Sequence, residues 1–288
     1  MDPTDPTDPT DQTDQPEPEP QHTANGDNEL QSLLTYYLDE GWLPIPVPRG
    51  QKAPRTPGWQ RTVVTEDNRA QYFPPNRPLN VDLLLGGTPR LADVDLDGHE
   101  ALLLARHYLP QTDMKHGRRT SPSSHWWYQV LQGTTHGLQY TKYLDPDYRD
   151  TLLELRWGTA GSGHVTMVPP SIHPNGEPLI WHAPLPPSPS PIRGNQLQLS
   201  TNTLAAACLL TRRWIQGARG DLTMALSGLL TRQGWTAEQI IGFLTPILIL
   251  AKDEERSARE DVVERTVDRF RANQRISGKA ALENIIGD

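Results

Sequence analysis

Two short strand-like runs carry three acids: Asp93 and Asp95 in Leu91-Ala-Asp-Val-Asp-Leu96, and Glu154 in Leu152-Leu-Glu-Leu-Arg156. Side chains of a strand alternate faces, so Asp93 and Asp95 project from one side with Cα atoms roughly 6.6 Å apart. That spacing suits a shared divalent metal. At neutral pH the two carboxylates repel each other, and on a run otherwise made of Leu, Ala and Val the repulsion calls for a cation or a basic side chain between them. The plain alternative is an exposed edge strand. On the second run Glu154 and Arg156 share one face while Leu153 and Leu155 share the other. That pattern fits a cross-strand salt bridge, or metal ligation by the acid with a phosphate clamp by the guanidinium.

A third element is Ser121-Pro-Ser-Ser-His125, which places His125 at the start of a strand after a loop of small residues. Serines before a strand can cradle a phosphate, and the imidazole can donate to a phosphate oxygen; a satisfied structural histidine is the alternative. The Trp126-Trp127-Tyr128 run that follows is read as core packing on alternating faces rather than as a base-stacking platform.

Around these runs the chain spells mixed structure. Leu30, Leu33, Leu34, Tyr37 and Leu38 repeat at helical spacing and Gly41 supplies a stop, predicting a helix over 30–40. Trp42 to Pro48 has too many prolines for a central strand and reads as an extended edge. Strands are expected over 80–87, 91–96, 124–131, 151–157 and 165–168, with a helix over 99–109. Between Ala183 and Arg193 stand five prolines in eleven residues, the composition of a semi-rigid linker. Beyond it, helices are expected over 203–216, 221–233, 236–250 and 256–274, with Asp221, Thr236 and Ser257 as N-caps. The expected organisation is a tail over 1–28, an α+β domain over 29–183, a linker over 184–199 and an all-helical bundle over 200–288.

Composition narrows the function classes. Of the net charge of −8, the first 29 residues contribute −9 through nine acids and no Lys or Arg, which leaves +1 for the rest. The acidity belongs to a Pro/Thr-rich tail of repeated Asp-Pro-Thr, whose composition predicts disorder. The near-neutral body is compatible with nucleotides or nucleic acid. Cys208 is the only cysteine, which excludes an internal disulfide and a cysteine zinc cage, and its apolar neighbours predict burial. The apolar run 240–251 is about half the ~20 residues a bilayer span needs, so no membrane segment is expected. Without a secretory leader pattern at the N-terminus the expected compartment is the cytoplasm. Gly278-Lys279-Ala280 lacks the rest of a P-loop, so a helicase motor, where one is needed, is a separate protein.

Taken in order, these pieces resemble the archaeo-eukaryotic primase superfamily, specifically its bifunctional DNA primase/polymerase N-terminal domain. The resemblance rests on Gly41-Trp42-Leu-Pro-Ile-Pro46, Lys52-Ala-Pro54, Trp59, Asn80-Val-Asp-Leu83 with Gly86-Gly87, Asp93-Val-Asp95, Ser123-Ser-His125, Glu154, Pro169-Pro170-Ser171, His173-Pro-Asn-Gly176 and Trp181. It covers about residues 33–183. It implies mixed sheets with flanking helices and an RRM-like active-site half. It implies two divalent ions, Mg²⁺ or Mn²⁺, held by Asp93, Asp95 and Glu154, and nucleotide phosphates contacted by Ser123, His125, Arg156 and Lys52.

The resemblance also implies a helical module that helps engage template or nucleotide, with Arg219 at a helix start as its phosphate candidate. The chain departs from the family pattern at Glu154, where the third acid is often Asp, and in the serines and Pro122 before His125, where glycines are common. The implied activity is primer synthesis on a single-stranded DNA template from NTPs or dNTPs in plasmid, phage or mobile-element replication. A non-catalytic replication initiator or single-strand-binding adaptor on the same fold, and a metal-dependent nuclease, are the competing expectations.

Overall fold

A computed structural model describes residues 24–75, 77–87, 90–134, 139–158, 163–183 and 187–286. The order begins α1 (Ala24–Asp39), β1 (Pro44–Pro48), α2 (Arg69–Tyr72), β2 (Leu79–Leu84), β3 (Leu91–Asp95), α3 (His99–Tyr108), β4 (Lys115–Arg118), β5 (Ser121–Val130) and β6 (Thr141–Leu144). It continues β7 (Thr151–Trp157), β8 (Val165–Val168), β9 (Ile180–Trp181), β10 (Ser190–Ile192), α4 (Gly194–Arg213), α5 (Arg219–Arg232), α6 (Ala237–Leu250), α7 (Arg256–Arg271) and α8 (Lys279–Ile286). The fold is mixed α+β. Most of the expected disordered tail lies outside the described residues, and its last five positions open α1.

The large sheet runs β6-β7-β3-β5-β4-β9, with β10 pairing in parallel along the second half of the long strand β5. A small sheet runs β1-β2-β8. The proline-rich β1 sits on its edge, as the missing N–H donors require. On one face of the large sheet Ala92, Val94, Leu153, Leu155, Trp126 and Tyr128 share a single core with α3, α4, α5 and α6. On the other side Leu91 and Trp127 meet Val81, Leu83 and Val168 of the small sheet and Leu33, Leu34 and Tyr37 of α1. Trp127 and Tyr128 are fully buried and Trp126 nearly so, the core packing expected of that run. Cys208 is buried.

The segment expected as a linker is built into the fold. Ser190–Ile192 pairs with Tyr128–Val130 of β5, and α4 begins at Gly194 rather than at Thr203. A proline-rich strand works here because it lies on an outer edge, where few N–H groups must donate. The helix starts early because Leu197, Thr201 and Leu204, all buried, continue the helical spacing through a polar stretch. Of the three expected caps, Thr236 forms a capping box with Gln239. Asp221 falls inside the first turn of α5, and α7 opens after Glu255 rather than at Ser257. No described helix is long and apolar enough to cross a membrane.

The helical half is also clamped to the sheet by charge. Arg212 at the end of α4 reaches Glu100 of α3, Asp145 and Asp150, each at 2.9 Å, and Arg213 adds contacts to Asp145 and Asp147. Asp145 is fully buried; burial alone would raise its pKa, but the two arginines and nearby backbone donors hold it below the usual carboxylate range. The three aspartates lie in the turn between β6 and β7. Removing one partner of a buried pair leaves the other charge uncompensated, so Arg212→Ala is expected to lower the unfolding free energy by about 3 kcal/mol, read from urea denaturation midpoints.

Candidate active site

β3 lies at the centre of the large sheet with antiparallel neighbours on both sides, and register decides what each acid meets. Asp95 stands opposite His125 of β5 and Glu154 of β7; Asp93 stands opposite Trp127 and Arg156. Lys142 of β6 lies opposite Glu154, and His116 of β4 lies opposite His125 with Trp181 of β9 beyond it. A single row of chemistry, Lys142, Glu154, Asp95, His125 and His116, therefore crosses five strands on one face. The strands alternate as the sequence requires: this face carries the polar row beside Leu91 and Trp127, which pack on the small sheet, and the opposite one belongs to the core shared with the helices.

The compensation demanded by the two aspartates is present. His125 Nδ1 lies 3.0 Å from Asp93 Oδ2 and its Nε2 3.5 Å from Asp95 Oδ1. Arg156 bridges the other acids, with Nη2 on Asp95 and Nε 3.0 Å from Glu154 Oε2. Lys142 Nζ lies 3.2 Å from the other Glu154 oxygen. Burial alone would lower the His125 pKa, but the charges of Asp95 and Asp93 outweigh it and leave it raised. Burial would raise Glu154, yet Arg156 and Lys142 bring it below the ordinary range.

Supporting residues come from further away. Thr166 Oγ1 of β8 donates to Asp93 Oδ2 at 2.9 Å, which ties the small sheet to the metal-ligand candidates. The His116 ring stacks on that of His125 at 4.4 Å with 3° between planes. Trp127 Nε1 donates to His116 Nδ1 at 2.9 Å, so that nitrogen carries no proton, and burial first, then His125, push the His116 pKa well down. A neutral ring thus backs His125. Gly86, at φ +78°, lets the small sheet approach: a Cβ there would lie 1.7 Å from the Gly158 carbonyl oxygen.

The expected residues do not all gather. Asp93, Asp95, Glu154, His125 and Arg156 form the cluster. Ser123, two residues before His125, points at His182, bonded through its N–H and hydroxyl. Lys52 is exposed on the loop after β1 and makes no ion pair with the cluster. Arg219 donates to the carbonyls of Trp214 and Ala251 and lies 3.8 Å from Asp253, so it braces the start of α5. Lys142, Thr166 and His116 escaped sequence reasoning because only strand pairing brings them in. Asp97 lies at the solvent edge of the cluster, where desolvation, then the charges of Asp95 and Glu154, lift its pKa to about 6.

Among the described residues no group of three or more His, Cys, Asp or Glu side chains is arranged to hold a metal ion. The donor set nonetheless suits one. Carboxylate oxygens are hard ligands of the kind Mg²⁺ and Mn²⁺ take, and Asp93, Asp95 and Glu154 bring three carboxylates to one face.

A family model described as bifunctional DNA primase/polymerase, N-terminal, matches residues 34–192, from the middle of α1 to the last residue of β10. The whole acidic row and both sheets fall within it. A comparison with curated proteins found no match.

Proposed function

Because the chain belongs to the bifunctional DNA primase/polymerase N-terminal family, we propose that it synthesises primers on single-stranded DNA by nucleotidyl transfer. The observation that carries this reading is the cross-strand row in which Asp95 lies between His125 and Glu154 with Asp93 and Arg156 alongside. Asp93, Asp95 and Glu154 would hold Mg²⁺ or Mn²⁺. Bound there, such ions neutralise a triphosphate and make the attacking 3′-hydroxyl more acidic.

The other roles belong to side chains. Arg156 keeps the two carboxylates from repelling each other in the free protein, and its planar fork transfers to phosphate oxygens when a nucleotide enters. His125, held by Asp93, donates from its other nitrogen to the same phosphates. Lys142 balances Glu154 from the sheet edge. Lys52 stays on its exposed loop, apart from the cluster, and takes no role in this reading. Purified full-length protein, given single-stranded template, all four nucleotide types and either metal, is expected to yield extended products; a folded protein without product under both metals would sink the catalytic reading.

The tie of Arg156 to both Asp95 and Glu154 favours a second reading, a non-catalytic initiator or adaptor in which the arginine permanently closes the acid site. The carboxylate substitutions in the Discussion separate the two. Shortening of labelled DNA under the same conditions would instead identify a nuclease.

Template contact on the helical side has an alternative to Arg219. A cleft of about 890 Å³ between α5, α7 and α8 is lined by Arg232, Arg269, Arg275 and Lys279 and by no acid. Arg232 and Arg269 anchor the backbone of 275–277, which presents Arg275 and Lys279. The double substitution Arg275→Ala with Lys279→Ala is expected to weaken single-strand binding about tenfold and to reduce the salt slope by about 1.4, roughly 0.7 per lost phosphate. Fluorescence anisotropy over a salt series measures both.

A further inference from the structure

Ser123 has an unusual conformation with a specific brace. Its φ is +51°, the left-handed region that side chains avoid. Two contacts hold it: Trp126 Nε1 donates to its carbonyl at 3.0 Å, and its own N–H donates to His182 Nε2 at 3.2 Å. The strand beneath is shaped to allow this. The β4–β5 register shifts between His116 and Arg118, and Gly117 lies so close that a Cβ would sit 2.4 Å from the Ser121 carbonyl oxygen and 2.7 Å from the Ser123 nitrogen.

The brace sets the direction of a proton. With Nε2 accepting from the backbone, the neutral His182 ring carries its proton on Nδ1 and donates it to Ser123 Oγ at 3.1 Å. Neutrality fits its surroundings, since desolvation and then Lys115 push its pKa down. The serine oxygen is thus an acceptor toward His182, and its own O–H is left to donate elsewhere. Ser123 lies one strand across from β3 and two residues beyond the partner of Asp95, about 4.8 Å and about 6.7 Å along the two directions. In a nucleotide whose reacting phosphate sits on the acidic row, that offset would bring the hydroxyl to the outer phosphates rather than to the reacting one.

We propose that His182 is a positioning residue for the incoming nucleotide: it turns the Ser123 hydroxyl so that its proton meets an outer phosphate oxygen of a nucleoside triphosphate. The inference rests on the reading of Ser123 as a phosphate contact. It gives the site a means of telling triphosphate from diphosphate that the acidic row lacks. His182 is exposed at the end of β9, with its N–H on the Lys115 carbonyl at 2.9 Å, so its side chain can be changed without opening the core.

The test measures equilibrium binding of deoxythymidine triphosphate and diphosphate to the full chain with Mg²⁺ and a single-stranded oligonucleotide. His182→Ala is expected to weaken triphosphate binding about tenfold, the worth of one charge-assisted hydrogen bond, and diphosphate binding less than twofold. His182→Gln, which can still accept and donate, is expected to restore most of the loss. Ser123→Ala is expected to match His182→Ala, with no further loss in the double variant. If Ser123→Ala weakens triphosphate binding and His182→Ala does not, the role of His182 is overturned alone. If Ser123→Ala binds like wild type, or wild type binds no nucleotide, the underlying reading fails and takes the inference with it. Equal urea midpoints show that the variants fold.

Discussion

Replacing Asp93 and Asp95 together by asparagine is expected to abolish the proposed primer synthesis, by at least ~10³-fold, or about 4 kcal/mol of lost transition-state stabilisation. Asparagine keeps the shape of both side chains, and its carbonyl can still accept from Thr166, so the sheet survives. What disappears is the charge that would hold divalent cations and that raises the His125 pKa. His125 and Arg156 then face neutral amides, and the raised His125 pKa falls back. Single-strand binding is expected to change less than threefold, because the cations of the helical cleft are untouched. Synthesis is read from labelled primer products and binding from anisotropy on the same preparations. If the double variant still makes product, the acidic row is not the reaction centre. If wild type makes none while biological function survives the substitution, the adaptor reading stands.

The second expected result concerns stability rather than catalysis. Asp82, in the middle of β2, is fully buried and neither of its carboxyl oxygens has a hydrogen-bond partner. Its cross-strand neighbours are Ile45 and Met167. Desolvation pushes its pKa up to about 8, against a smaller downward pull from Arg156. The folded protein therefore binds a proton at Asp82 that the unfolded chain releases near pH 4.

Below about pH 4 the acid is protonated in both states and costs nothing extra. As pH rises from about 4 to about 8 the unfolded state alone loses the proton and is favoured, so the fold loses stability over that window. The loss approaches about 5 kcal/mol. Asp82→Val removes the titrating group and fills the site with a strand-forming residue, so its stability relative to wild type is expected to grow by that amount between pH 4 and pH 8. Urea unfolding of both proteins at several pH values measures it. A constant difference across the range would show that the folded-state pKa of Asp82 is not raised.

Most of the elements were legible in local pattern. The β8 range is the same in both readings, and the helical periodicities of α5, α6 and α7 locate those helices to within a few residues, because an apolar stripe at 3.6 spacing must be buried. What escaped were short or polar elements. Lys115-His-Gly-Arg118 and Thr141-Lys-Tyr-Leu144 have no alternation of their own and become strands only because β5 and β7 offer edges to pair with. The proline-rich segment before α4 reads as a linker for a related reason. Proline density reports the lack of donors, and an edge strand lacks them as comfortably as a coil does.

The sequence by itself determined that Asp93 and Asp95 share a face, that Glu154 and Arg156 share another, and that His125 opens a strand, since each follows from the two-residue period of an extended chain. It also carried the family, through the order of its motifs. Only the tertiary structure decided that these faces are one face. Strand order and register are properties of long-range pairing, and a slip of one residue in β5 or β7 would turn His125 or Glu154 into the apolar core. The same pairing brought in Lys142, His116 and Thr166, and set His182 against Ser123 across 59 residues of chain.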